Sequence, residues 1–210
     1  INKKKVEELL GKRLFDFDKI DKLDKIGVVN GMAWTAYGGD TLPIEAMVMS
    51  GNGKLELTGK LGEVMQESAK TAYSYVRANA NKFGIKDNFY KDKDIHIHAP
   101  EGAVPKDGPS AGVTMVTALV SALSGKKVRH NVAMTGEVTL TGRVLPIGGL
   151  KEKSLAAYRA GLDTIIIPKE NEKDIDKIPH SIRSSLNIIP AEEVNEVLNN
   201  ALIGEDNNEN

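Results

Sequence analysis

Residues 101–123 read EGAVPKDGPSAGVTMVTALVSAL, and this stretch sets both the fold and the chemistry. Pro105, Pro109 and three glycines make the first half a constrained loop. From about Ser110 onward the run is apolar, broken by Thr114, Thr117 and Ser121. It falls short of the ~18 residues of a membrane span. A helix apolar on every side belongs in the interior of a larger domain.

Working outward, strand-like and helical segments alternate. Val28–Tyr37 and Pro43–Met49 have strand character, and Ser50-Gly51-Asn52-Gly53 suggests a hairpin turn into Lys54–Thr58. Val64, Met65, Ala69, Ala72, Val76 and Ala80 recur at helical spacing, which predicts a helix over 62–82. Asp94–Ala99 alternates as a strand does. Val132–Thr135 and Val138–Leu140 are short strands around Gly136. Residues 151–160 are helical and close at Gly161. Thr164–Ile167 is a buried strand, and Ala191–Leu202 a last helix. The order predicts an α+β (mixed α/β) fold with one main core, small sheets, an early hairpin region and several packed helices.

The ends differ from this body. Residues 1–25 are dense in charge around Val6, Leu9, Leu10, Leu14 and Phe17, and read as a connector. Residues 26–203 form the domain proper, and 204–210 a polar, frayed tail. The first residue is Ile1 rather than Met, so excision from a longer protein is the expectation.

Composition removes whole classes of function. The 210 residues carry 28 Lys+Arg against 29 Asp+Glu, a net charge of −1. That balance argues against a nucleic-acid binder, whose phosphate contacts need a basic surface. With no cysteine, disulfides, thiol catalysis and Cys-ligated metals are excluded. Lys3-Lys4-Lys5 leads into Val6-Glu7-Glu8 rather than the apolar core of a signal peptide. A cytoplasmic protein is therefore expected. The phosphate-binding loop, the dinucleotide glycine fingerprint and H-E-x-x-H are all missing. His96 and His98 share one strand face, but two ligands make a weak metal site and a structural role is the simpler reading.

Ser110 sits where a helix begins, among unsatisfied backbone N–H groups and a partial positive charge. Such a hydroxyl is a plausible nucleophile, because the same N–H groups stabilise an oxyanion. It is equally an ordinary helix cap. Gly108-Pro109-Ser110-Ala111-Gly112 matches G-x-S-x-G, yet Pro105 and Pro109 break the strand that should lead into such an elbow. An esterase reading would need His180 or His130 as its base. A second dense region, PIGGLKEKSLAAYRAG over 146–161, offers a different base. On a helix, Lys153 shares its face with Gly149, Leu150, Ala156, Ala157 and Ala160, whereas Lys151 and Glu152 face mixed or polar neighbours. Burial would lower the lysine pKa toward neutrality and make it a usable base. A head that snorkels to solvent is the open alternative.

PKDGPSAG, followed by AMTGEVTLTGRVLPIGGLKEK, closely resembles the proteolytic domain of bacterial Lon, the ATP-dependent Ser–Lys protease. The likeness runs from about Gly27 to about Leu202. It implies that Ser110 is the nucleophile and Lys153 the general base, that Thr135 helps orient the lysine, and that Asp107 supports the site. The backbone N–H of Ser110 would contribute to the oxyanion hole. The resemblance further implies that residues 1–25 are the end of an ATPase lid and its linker, and that ATP and Mg belong to that missing ATPase, with no cofactor or metal in this chain. Unfolded or damaged proteins would be the substrates, the chain's own ATPase domain a partner, and a hexameric ring the assembly. Trp34 falls near the family's substrate groove, although a lone Trp is more often core. Glu45 reads as structural or interfacial. An inactive module of the same fold, used for assembly or binding, is the other alternative.

Overall fold

The computed structural model of the chain describes Lys5 and residues 22–35, 38–100 and 106–204. Eleven strands and six α-helices occur among the described residues 22–204. Strands β1 (Lys25–Ile26), β2 (Val28–Thr35), β3 (Gly38–Ser50) and β4 (Leu55–Thr58) precede helix α1 (Glu63–Ala78), a 3-10 turn (Ala80–Phe83) and the single-turn helix α2 (Phe89–Asp92). After β5 (Lys93–His98) come a 3-10 turn (Pro109–Ala111) and the central helix α3 (Gly112–Ser124). Short strands β6 (Lys127–Val128), β7 (Val132–Met134), β8 (Glu137–Val138) and β9 (Val144–Leu145) lead to α4 (Leu150–Arg159). The chain continues through β10 (Thr164–Pro168), a 3-10 segment (Lys169–Lys177), α5 (His180–Arg183), β11 (Asn187–Ala191) and α6 (Val194–Ala201).

The mixed helix-and-strand architecture is as expected, but the sheets are not all small. Seven strands form one sheet in the order β11-β10-β7-β2-β3-β5-β4, beside two two-stranded pairs, β1-β6 and β8-β9. The early hairpin is β2–β3, antiparallel from Val28↔Glu45 to Thr35↔Gly38. Residues 50–53 do not make the second one. β4 is separated from β3 by β5, which pairs antiparallel with β3 and parallel with β4. The reason is Asp94 on β5, whose Oδ1 accepts the backbone N–H groups of Asn52, Gly53 and Lys54 at 2.8, 3.0 and 2.8 Å. A turn held by a strand from elsewhere does not need to fold onto itself.

Because side chains alternate across a sheet, the two faces carry two cores. Val29, Leu42, Ile44, Ile95, Ile97, Met134 and Ile166 face α1 and α3. Met32, Ala133, Ile165 and Ile167 face the other way, against Leu150 and Ala157 of α4. The first ten residues of α3, Gly112–Ser121, are buried, as its all-apolar sequence requires.

Other boundaries differ from expectation for local reasons. The helix expected over 62–82 ends at Ala78, where Asn79 leaves helical geometry and its Nδ2 donates to the Tyr75 carbonyl at 2.9 Å. The strand expected over 138–140 is shifted to Glu137–Val138. Of the last helix expected over 191–202, Ala191 instead ends β11 (Asn187–Ala191). That helix starts at Val194 behind a capping box between Glu193 and Glu196. Of the connector expected over 1–25, residues 1–4 and 6–21 lie outside the described residues, while Lys25 and Ile26 pair with Val128 and Lys127. Of the tail expected over 204–210, residues 205–210 also lie outside them. No described helix is long and apolar enough to cross a membrane.

Candidate active site

Three elements from distant parts of the chain converge beside α3. The 3-10 turn Pro109–Ala111 presents Ser110, the residue after β7 presents Thr135, and α4 presents Lys153. Lys153 Nζ lies 3.0 Å from Ser110 Oγ and 3.0 Å from Thr135 Oγ1. Thr135 Oγ1 in turn donates to the Ser110 carbonyl at 3.3 Å. The two turns are tied by backbone bonds, Gly136 N–H to Ser110 O at 2.8 Å and Val113 N–H to Gly136 O at 3.1 Å. The hydroxyl and the threonine are thus held as one unit, and the lysine reaches both.

The expected faces of α4 are observed. Lys153 is buried at 3% exposure with Leu150, Ala156 and Ala157, while Lys151 is exposed and Glu152 half-buried. The amine therefore does not snorkel to solvent. Desolvation lowers its pKa from the ordinary 10.5 to about 8, because burial penalises the ammonium more than the neutral amine. Near neutral pH about one lysine in ten would be neutral and able to accept a proton.

Asp107 does not touch this group in the structure. Its Oδ1 accepts the N–H of Met65 at 3.0 Å and of Gly108 at 2.9 Å. Met65 is the third residue of α1, so Asp107 supplies from outside the cap that Gly62, with no side chain, cannot. A β-carbon on Gly62 would lie 2.4 Å from the Asp107 carboxyl carbon, so glycine there is what admits the carboxylate. The carboxylate anchors the approach to Ser110 against α1.

Trp34 is not a core residue: it is 62% exposed, and its β-carbon and ring lie against Gly149 at the start of α4. It stands at the end of the β2–β3 hairpin, beyond the reach of the sheet's core. Glu45 is exposed on β3. His96 and His98 share a face, and both ring nitrogens meet Thr58 Oγ1 at 2.7 Å. Among the described residues no group of three His, Asp or Glu could hold a metal ion. His130 pairs with Asp24 at 2.6 Å, at the opposite end of β7 from Thr135. His180 opens α5. No strand runs directly into Ser110. Lys106 makes a single bridge to Leu61, and the 3-10 turn begins three residues later.

Sequence reasoning missed two groups around the site. Thr114, one helical turn after Ser110, has a fully buried hydroxyl without a hydrogen-bond partner. Asn171, 2% exposed, hydrogen-bonds the link before α4. Asn171 lies in the charge-rich run KENEKDIDK, where no periodicity marks it as buried. Thr114 was visible only as a polar interruption of an apolar helix.

Comparison with known proteins agrees with the motif resemblance. The Lon protease from Clostridium acetobutylicum is 72% identical over 210 residues, covering 100% of this chain and 27% of that protein. The Lon protease from Finegoldia magna is 60% identical over 203 residues, covering 97% of this chain and 26% of its own length. Lon protease 1 from Bacillus subtilis is 58% identical over 205 residues, covering 98% and 26%. The chain thus spans about a quarter of the length of the curated relatives it matches. A family model described as the Lon protease (S16) C-terminal proteolytic domain matches residues 1–204. This chain belongs to the family of Lon protease C-terminal proteolytic domains.

Proposed function

We propose that this chain hydrolyses peptide bonds with Ser110 as nucleophile and Lys153 as general base. The observation that carries the reading is a buried amine 3.0 Å from a half-buried serine hydroxyl, with a pKa brought down to about 8. In its neutral form Lys153 takes the Ser110 hydroxyl proton as Oγ adds to the substrate carbonyl carbon. The carbonyl π electrons move to oxygen, and the backbone N–H of Ser110 stabilises the resulting oxyanion. Collapse expels the amine, which leaves with the proton from the Lys153 ammonium, and an ester remains on Ser110. Water then attacks the ester while Lys153 accepts its proton. The proton returns to Oγ as the acid product departs.

Thr135 orients this exchange. Its Oγ1 accepts one Lys153 N–H, which leaves the nitrogen lone pair for Ser110. Asp107 acts at one remove, by anchoring the loop to α1. The chain would serve as the cutting module of an ATP-dependent endopeptidase in the cytoplasm. It would be linked to an ATPase domain that binds ATP and Mg, would act on unfolded or damaged proteins, and would work within a hexameric ring.

The test is hydrolysis of an unstructured fluorogenic peptide by the 210-residue chain. Ser110→Ala and Lys153→Ala are each expected to abolish turnover with the circular dichroism spectrum unchanged. Lys153→Arg should be equally inactive, because guanidinium stays protonated and cannot act as a base. Retained turnover in any of the three variants would refute the dyad.

A further inference from the structure

Asn171 lies in the 3-10 segment Lys169–Lys177, far in sequence from the link that joins β9 to α4. Its amide nevertheless closes on both backbone groups of Ile147 in that link. The Ile147 N–H donates to Oδ1 at 2.9 Å, and Nδ2 donates to the Ile147 carbonyl at 2.9 Å. Nδ2 also donates to Asp174 Oδ2 at 2.8 Å. The side chain thus pairs with Ile147 much as a neighbouring strand would. Only an amide carries a donor and an acceptor side by side in this way. Buried at 2% exposure, these bonds have no water competing for them.

The consequence lies six residues on. α4 begins after Gly149 without a side-chain cap, so no capping side chain fixes where the helix starts. The Lys153 N–H bonds the Gly149 carbonyl at 3.0 Å, which makes the lysine part of the first turn. Apart from the two bonds of the Lys153 amine itself, the contacts that locate this turn are apolar or steric. Trp34 packs on Gly149, and a β-carbon on Gly39 of β3 would come within 1.9 Å of the Glu152 carbonyl oxygen. Such contacts are non-directional and hold the helix against the hairpin. Asn171 is directional, and it acts on the link three residues before the helix begins.

We propose that Asn171 is a positioning residue for Lys153: by clasping Ile147 it sets the axial position of α4, and with it the reach of Nζ to Ser110 Oγ and Thr135 Oγ1. The proposal rests on the Ser–Lys reading above. Both of the amine's bonds are 3.0 Å long, so a slide of about 1 Å would break at least one. A misplacement of that size costs on the order of 100-fold in rate. Substrate binding would change little, because Asn171 is buried and bonds Ile147 and Asp174 rather than Ser110 or Lys153.

The experiment compares wild type with Asn171→Leu, which keeps the branched shape but removes the amide, and with Asn171→Asp. The aspartate accepts from the Ile147 N–H but offers no donor to its carbonyl and faces Asp174. Steady-state peptide hydrolysis is measured across pH. Asn171→Leu should lose about 10- to 100-fold in kcat with KM within about twofold. Its alkaline rise should move upward, because a displaced amine regains water. Asn171→Gln, which restores an amide, should recover part of the loss. Unchanged kcat and an unchanged pH profile in Asn171→Leu would overturn the proposal. If that variant does not fold, Asn171→Asp decides: a kcat loss of at least about fivefold supports positioning, and wild-type kcat overturns it. Lys153→Ala serves as the control throughout. If it stays active, the Ser–Lys reading itself fails. If it is inactive while the Asn171 variants behave as wild type, only the positioning role fails.

Discussion

Replacing Lys153 by Met should stabilise the protein while destroying its proposed activity. The amine is buried at 3% exposure, and its pKa is lowered from 10.5 to about 8 by desolvation alone. At about 1.4 kcal/mol per pH unit, holding the ammonium in the folded state costs roughly 3 kcal/mol. The folded-state pKa lies below the unfolded one, so this cost is full below about 8 and is relieved as pH rises from about 8 to 10.5. Methionine matches the lysine stem in length and needs no solvation. It forfeits the bonds to Ser110 and Thr135, together worth about 1 kcal/mol net. The expected gain is therefore about 2 kcal/mol near neutral pH. It should disappear above pH ~10.5, where both states of the wild type come to hold a neutral amine. Urea unfolding followed by far-UV circular dichroism at both pH values measures it. A variant no more stable than wild type near neutrality, or a difference independent of pH, would refute the account of burial.

Three further outcomes follow from the same geometry. The rate of peptide hydrolysis should rise with pH through about 8, as Lys153 loses its proton; a rise centred near ~6.5 would indicate a histidine base instead. Thr114→Val should stabilise the fold by about 1 kcal/mol, since it removes a buried hydroxyl that has no partner, and a lower urea midpoint would show that the hydroxyl is satisfied after all. Asp107→Ala should destabilise by about 1 kcal/mol through loss of the cap on α1. Replacement of that residue by Asn, which keeps an acceptor, should restore most of the stability, and failure to do so would point to a role for the charge rather than the cap.

Much of this protein could be read along the chain, because the relevant signals are local. The apolar run from Ala111 must be buried wherever it sits. Proline and glycine around Ser110 shape a turn without help from other segments. The face of α4 that carries Lys153 follows from helical spacing, and the absence of cysteine removes thiol chemistry at a stroke. Motif likeness in two separated stretches then sufficed to identify the family.

What the tertiary structure alone decided are relations between residues far apart in sequence. Whether Lys153 snorkels or stays buried depends on the second core packed around α4. The 3.0 Å approach of its amine to Ser110, 43 residues away, depends on where three elements meet. Asp94 overrode a turn that reads locally as a hairpin, because three backbone N–H groups found their acceptor on another strand. Asp107 caps a helix 42 residues away, and Asn171 clasps a link 24 residues away. None of these leaves a periodic trace, since a hydrogen bond between distant segments constrains geometry in space and not spacing along the chain. Sequence alone determined which side chains could perform the chemistry. Only packing, by excluding water from Lys153 and fixing its distance to Ser110, brought the two within the hydrogen-bond reach that the proposed chemistry needs.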